Sequence, residues 1–136
     1  MKPFLFFTSL LLSLSLAAQA GSYTISYNTP QGDIRYALIL KEDSSFTYHF
    51  YRFSKCASCR KENYYAKGKW LIEKKIIYFS SSADDMDDTY TLNFNNSKAH
   101  FIKKSPRDKT DRVIPEALHF YESEISWVKG MKLLKD

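Results

Sequence analysis

The chain is poor in the residues that common catalytic and cofactor sites require. It has four glycines and two cysteines among 136 residues. It contains no glycine-rich phosphate loop, no nucleophile elbow and no pair of histidines at helical spacing. Two cysteines supply only half of the ligands of a closed zinc site. From these absences we expect no cofactor, and we predict that the protein is not an enzyme.

After residue 20 the sequence has no apolar run long enough to cross a bilayer. Residues 1–20 have the three parts of a secretory signal, which are the positive Lys2, an apolar segment over residues 4–16 and an A-x-A cleavage site. We predict a cleaved signal peptide over residues 1–20, a single β domain over residues 21–136 and a secreted or periplasmic location. An uncleaved anchor is the alternative. No cysteine follows the cleavage site, so we expect no stable membrane anchor after signal cleavage.

A strong excess of one charge is also missing. The net charge is +5, and it falls to +4 when Lys2 is removed with the signal. Acidic and basic residues alternate along most of the chain. An exported protein with so mild an excess rarely meets nucleic acid, and we therefore expect no nucleic-acid partner.

Aromatic side chains are abundant, and they recur with a period of two residues. They make up 16% of the chain. In residues 33–41 the tyrosine and the two leucines, at positions 36, 38 and 40, share one face. Residues 46–53 place Tyr48 and Phe50 on one face and His49 on the other. Such alternation is typical of half-buried strands. The short polar link between the two segments predicts an antiparallel hairpin.

The same alternation continues to residue 103. Residues 63–73 predict a strand, and Gly68 inside it indicates a bulge or a close approach of two backbones. Further strands are predicted in segments 22–27, 75–80, 89–94 and 98–103. This spacing predicts a mainly β fold, a small antiparallel meander barrel or sandwich of about seven to eight strands.

The last segment, residues 115–130, fits two structures. Pro115 suits the first turn of a helix, an apolar stripe follows it at helical spacing, and Gly130 suits a helix C-cap. On these signals we predict a short C-terminal helix. The alternative divides the tail into two strands, residues 117–121 and 131–135, which would complete the sheet.

Cys56 and Cys59 lie in the stretch SKCASCRKENYY, where lysine and arginine surround them. In an oxidising compartment two thiols this close are expected to form a local disulfide, whose small loop removes about 2 kcal/mol of unfolded-state entropy. The flanking cations favour the thiolate, which suits redox exchange or capture of a soft metal. His49 is the nearest candidate for a third metal ligand, and its other interpretation is one more ring on an aromatic strand face. The sequence leaves these alternatives open.

The stretches YALILKEDSSFTYHF and GKWLIEKKIIYFS, together with the C-x-x-C pair, carry a resemblance to a known group of proteins. Over residues 33–80 the chain resembles the small extracytoplasmic β-barrels related to lipocalins, and among them the N-terminal domain of the NlpE-type copper-response lipoproteins. The resemblance implies a barrel, and it implies a copper-responsive role for Cys56 and Cys59. The chain departs from that family in two ways. It lacks the lipid-anchoring cysteine after the leader, and its cysteine pair follows the long aromatic strand instead of lying near the first hairpin.

Two classes of function follow. As a binding or interaction module, the domain would hold a small apolar ligand or a protein partner on an aromatic face lined by Tyr48, Phe50, Tyr64 and Trp70. The alternative is an envelope protein that responds to thiol oxidation or to copper through Cys56 and Cys59, with His49 in reach of the metal.

Overall fold

The computed structural model describes residues 19–56 and 58–136. The predicted signal peptide therefore lies outside the described residues, apart from Gln19 and Ala20. Within the described part, no helix is long and apolar enough to span a membrane.

The described residues form eight strands that close into a barrel. Each strand pairs antiparallel with the next one, and the last strand pairs with the first. The predicted antiparallel meander is confirmed, and of the two predicted architectures the structure is the barrel. The strands are β1 Gly21–Thr29, β2 Gly32–Leu40, β3 Ser45–Ser54, β4 Glu62–Glu73, β5 Ile76–Ser80, β6 Ser97–Ile102, β7 Ala117–Glu122 and β8 Lys132–Lys135.

The first four strands are longer than the last four. They have 9, 9, 10 and 12 residues, whereas the last four have 5, 6, 6 and 4. The β4–β5 ladder begins only at Lys69, and β8 pairs with β1 only at Tyr23 and Thr24. Past these positions, β1 to β4 continue as a four-stranded sheet outside the closed ladder. We call this extension, which runs to the β1–β2 turn and the β3–β4 loop, the open sheet.

Alternate side chains of the strands fill the closed part of the barrel. Leu38 of β2 and Phe46 and Tyr48 of β3 are buried, as the period-two pattern predicts. The β2–β3 register runs from Leu40 opposite Phe46 to the far end of both strands, which confirms the predicted hairpin. Inward aromatic and leucine side chains therefore supply the core of the domain.

Gly68 marks a close approach of two backbones. A Cβ atom at this position would lie 2.0 Å from the backbone oxygen of Ser80 and 3.0 Å from the ring of Phe46. The β3–β4 register passes through Gly68 without a break. Of the two predicted explanations for this glycine, the structure thus shows the close approach and no bulge.

The predicted strand over residues 89–94 is wrong. This segment belongs to the β5–β6 connection, and of its residues only Tyr90 makes an isolated bridge, to Tyr65. Because β5 pairs directly with β6, no place in the ladder is left for the segment. Its fully buried Phe94 instead enters the barrel, where its ring lies 4.8 Å from Tyr48. Phe94 is therefore a core residue, although its segment is not a strand.

Ser81 holds the β5–β6 connection in the position that buries Phe94. Its buried hydroxyl donates to the Lys67 carbonyl at 3.0 Å and accepts from the Phe94 backbone N–H at 3.2 Å. The Ser81 backbone N–H donates to Asn95 Oδ1 at 2.8 Å. These bonds satisfy polar groups that the filled interior would otherwise leave without partners.

The favoured helix over residues 115–130 is also wrong, and the alternative of two strands is confirmed. Residues 117–122 are β7, which pairs with β6 and β8 and thereby closes the barrel. A helix there would leave the neighbouring strands without their ladder partners. One helical turn survives after β7, because the Ile125 carbonyl accepts from Lys129 N–H at 3.2 Å. Gly130 follows this turn with φ of 88°, the left-handed conformation that the C-cap signal predicts.

A two-residue turn of Lys74 and Lys75 joins β4 to β5. Both lysines have positive φ, 53° and 68°. A hairpin turn with two left-handed residues favours Asn and Gly, because other side chains bring Cβ too close to the following carbonyl. The lysine pair therefore stores backbone strain at this turn.

Candidate functional site

A cluster of aromatic rings covers the inner face of the open sheet. The Phe50 ring lies 4.9 Å from Tyr36, 6.0 Å from Tyr64 and 4.7 Å from Trp127, measured between centroids. Tyr36 and Tyr64 meet Phe50 because they are its cross-strand partners on β2 and β4. We call Tyr36, Phe50, Tyr64 and Trp127 the aromatic mouth.

The loop between β7 and β8 carries Trp127 to this position. Val128 anchors the loop because its side chain is fully buried in the core. Phe120 anchors the other side, since its backbone N–H donates to Met131 at 2.8 Å and its carbonyl accepts from Gly130 at 2.7 Å. Trp127 is thus held over the mouth by a fixed loop, with 37% of its surface exposed.

Beside Trp127 an open groove of about 520 Å³ separates β1 and β2 from the β7–β8 loop. We call it the mouth groove. The β1 and β2 wall is apolar and aromatic, and the opposite wall includes two lysines. The lining residues are Ile25, Tyr27, Tyr36, Trp127, Lys129, Gly130, Met131, Lys132 and Leu134. No carboxylate is among these described residues, so the groove has a positive electrostatic character.

Tyr48 lies directly behind the aromatic mouth. Its ring packs 6.2 Å from Trp127 and only 1% of its surface is exposed. Within residues 19–56 and 58–136, its hydroxyl is the buried side-chain polar atom that has no hydrogen-bond partner. Burial raises the pKa of this phenol far above its ordinary value of 10.0, and the neighbouring phenol of Tyr36 raises it further.

The structure brings together three of the four aromatic residues proposed from the sequence. Phe50 and Tyr64 belong to the aromatic mouth and Tyr48 lies behind it, and all three rings pack against Trp127. Trp70 lies toward the other end of β4, where it is 2% exposed and donates its indole N–H to the Lys41 carbonyl at 3.0 Å. Trp127 takes the place that the sequence reasoning gave to Trp70. The sequence contains little indication of this position for Trp127. The residue lies in a turn between two short strands, where no alternation of side chains predicts which way the ring points.

Cys56 and Cys59 form a disulfide in the β3–β4 loop, as predicted, with their Cα atoms 5.2 Å apart. The loop is attached to the β1–β2 turn, since the Lys55 backbone N–H donates to the Gln31 carbonyl at 2.7 Å. Both cysteines are exposed. The disulfide therefore lies at the mouth end of the molecule, on its surface.

His49 does not lie beside the cysteines. It faces outward, where its Nε2 is 2.8 Å from Asn63 Oδ1 and its ring stacks on Tyr65 at 4.5 Å. Five residues of extended strand separate it from the end of β3, a distance of about 17 Å. In the part of the chain that the structure describes, no group of three or more His, Cys, Asp or Glu side chains is arranged to hold a metal ion.

Comparison of the chain with protein-family models, with curated proteins and with solved structures finds no significant match.

Proposed function

We propose that the protein is an exported binding module that holds a small ligand with an apolar or aromatic body in the mouth groove. The secretory signal predicted in residues 1–20 supports export. The groove supports binding, since its volume falls within the range of roughly 300–1,000 Å³ typical of small-molecule sites. No catalytic step is part of this proposal.

The observation that carries the proposal is the exposure of Trp127 inside an aromatic cluster. Trp127 packs on three other rings and lines the groove, yet 37% of its surface is exposed. Large exposed aromatic surface beside a cleft marks ligand-binding sites in many proteins. The ligand would bind at the mouth and not inside the barrel, because Phe94 fills the interior.

A neutral aromatic probe, N-phenylnaphthylamine, tests this proposal by the rise of its fluorescence on binding. We expect saturable binding to the native protein and a loss of at least about tenfold in affinity for Trp127→Ala, since one aromatic wall disappears. Leu71→Ala is the matched control, because it removes another exposed apolar side chain far from the groove. Equal binding by both variants, or no saturable binding at all, would contradict the proposal, provided that circular dichroism shows the Trp127→Ala barrel intact.

The exposed disulfide favours a second function, a thiol- or copper-responsive envelope protein. Cys56 and Cys59 are accessible to thiol reagents, and the nearby Arg60 and Lys61 would favour the thiolate after reduction. The resemblance to NlpE-type domains points to the same pair. Alkylation and mass measurement before and after reduction, followed by copper(I) titration of the reduced protein, tests this role. Copper uptake that persists in Cys56→Ser and Cys59→Ser would exclude it.

A further inference from the structure

We propose that the mouth groove selects an anionic amphiphile, a free small molecule with an aromatic or aliphatic body and one acidic headgroup. This inference rests on the proposed function and adds the chemical class of the ligand. The body would lie against Tyr36 and Trp127, and the headgroup would meet the ammonium groups of Lys129 and Lys132.

The charge distribution in the groove carries the inference. Lys129 and Lys132 both line it, and both are exposed. The ion pairs within the described part of the chain join other side chains, so these two ammonium groups have no carboxylate partner there. The lining itself contributes no acidic residue. Two unpaired cations at one wall of a groove attract an anion and repel a cationic ligand.

The opposite wall selects for an apolar body. Ile25 and Tyr27 of β1 and Tyr36 of β2 supply it, and Tyr27 is 52% exposed. This wall continues into the aromatic mouth through Trp127. A simple inorganic anion would leave this surface in water, whereas an amphiphile would cover it while its headgroup stays at the lysines. The walls on two sides favour a single bound molecule over a flat lipid surface.

A matched pair of probes tests the inference. Anilinonaphthalene sulfonate and N-phenylnaphthylamine share an aromatic scaffold, and only the first has an acidic group. We expect the sulfonate to bind the native protein about fivefold more tightly, an advantage that falls at high salt. In Lys129→Gln/Lys132→Gln the ratio of the two affinities should fall to about one. The control Lys74→Gln/Lys75→Gln removes the same amount of charge at the opposite end of the barrel. This variant should still bind the sulfonate more tightly than the neutral probe.

The outcomes separate this inference from the proposed function. If both probes bind equally well to the native protein, the groove binds ligands but does not select anions, and the inference fails alone. If neither probe binds, the proposed function fails as well. Two results would show that the anion binds elsewhere and would overturn the inference. In the first, the sulfonate still binds more tightly than the neutral probe to Lys129→Gln/Lys132→Gln. In the second, Lys74→Gln/Lys75→Gln loses the preference for the sulfonate to the same extent. The protein could also sediment with phosphatidylglycerol vesicles in a way that requires Lys129 and Lys132, yet fail to bind the free sulfonate. This result would assign the lysines to a membrane surface and would also overturn the inference.

Discussion

Replacement of Tyr48 by Phe should stabilise the protein, although it removes a polar group from a well-packed site. The substitution deletes one oxygen and keeps the ring, whose contacts include Phe94 at 4.8 Å and Trp127 at 6.2 Å. Within the described residues that oxygen is buried and has no hydrogen-bond partner. A buried hydroxyl in this state destabilises a protein by about 1–3 kcal/mol. Because local relaxation recovers part of this energy in the native protein, we expect Tyr48→Phe to gain about 1 kcal/mol.

Urea unfolding followed by circular dichroism measures this gain. The midpoint should rise by roughly 0.5–1 M with an unchanged slope, and the melting temperature should rise by about 4 °C. Tyr78→Phe is the control, because Tyr78 faces outward on β5 and its half-buried ring leaves the hydroxyl near water. That variant should stay within about 0.5 kcal/mol of the native protein. A loss of 1 kcal/mol or more in Tyr48→Phe would show that the hydroxyl is hydrogen-bonded in solution, and it would refute the reasoning.

The same substitution should change the response to alkaline pH. Burial raises the pKa of Tyr48 above the unfolded value of 10.0, and burial likewise raises the pKa of Tyr23. Below pH 10 both states keep these phenol protons, and the unfolding free energy does not depend on their titration. Above pH 10 the unfolded phenols release their protons while the native ones hold them, so the fold loses stability as the pH rises. Each such tyrosine contributes a slope of up to about 1.4 kcal/mol per pH unit. Unfolding free energies between neutral pH and strong alkali should therefore fall less steeply for Tyr48→Phe than for the native protein, and equal slopes would contradict this assignment.

Three further substitutions have defined outcomes. Cys56→Ser/Cys59→Ser should lose no more than about 2 kcal/mol, because the closed loop is small, and a loss of 4 kcal/mol or more in urea unfolding would mean that the loop supports the core. Lys74→Asn/Lys75→Gly should gain about 1 kcal/mol by relieving the two left-handed lysines, and an unchanged melting temperature would show that the turn is not strained. Ser81→Ala should lose about 1–3 kcal/mol, since a backbone N–H and a backbone carbonyl lose their buried partner, whereas a neutral result would show that water replaces the hydroxyl.

The alternation of side chains predicted the first six strands because each one carries its own signal. On β3 a period of two residues is enough to predict which side chains point inward, without knowledge of the neighbouring strands. These side chains are Phe46, Tyr48 and Phe50. The errors concern segments whose structure depends on distant partners. Residues 89–94 have the same alternation, but β5 and β6 pair with each other and exclude them. Residues 117–122 fit a helical stripe, and only the need to close the barrel makes them a strand.

The candidate site shows the same limit at the level of single side chains. Periodicity correctly placed Tyr64 and Trp70 on one face of β4. Periodicity does not predict at which end of the barrel each side chain lies. The two residues are six positions apart in the sequence, which is about 20 Å along an extended strand. Only Tyr64 therefore lies at the mouth, while Trp70 belongs to the core at the other end. Trp127 could not be assigned, because its position depends on how the β7–β8 loop folds back over Phe50.

The difference in strand length explains how a filled barrel can still present a binding surface. Where all eight strands pair, Phe94 and the other inward side chains pack against one another in the interior. Past the ends of the short strands, the same inward period continues on the long ones, so Ile25, Tyr27 and Tyr36 face a space without an opposite strand. The β7–β8 loop covers this space only in part with Trp127. Side chains that would be core in a barrel of equal strands thus become the walls of a groove, and longer strands β5 to β8 would convert the site into core.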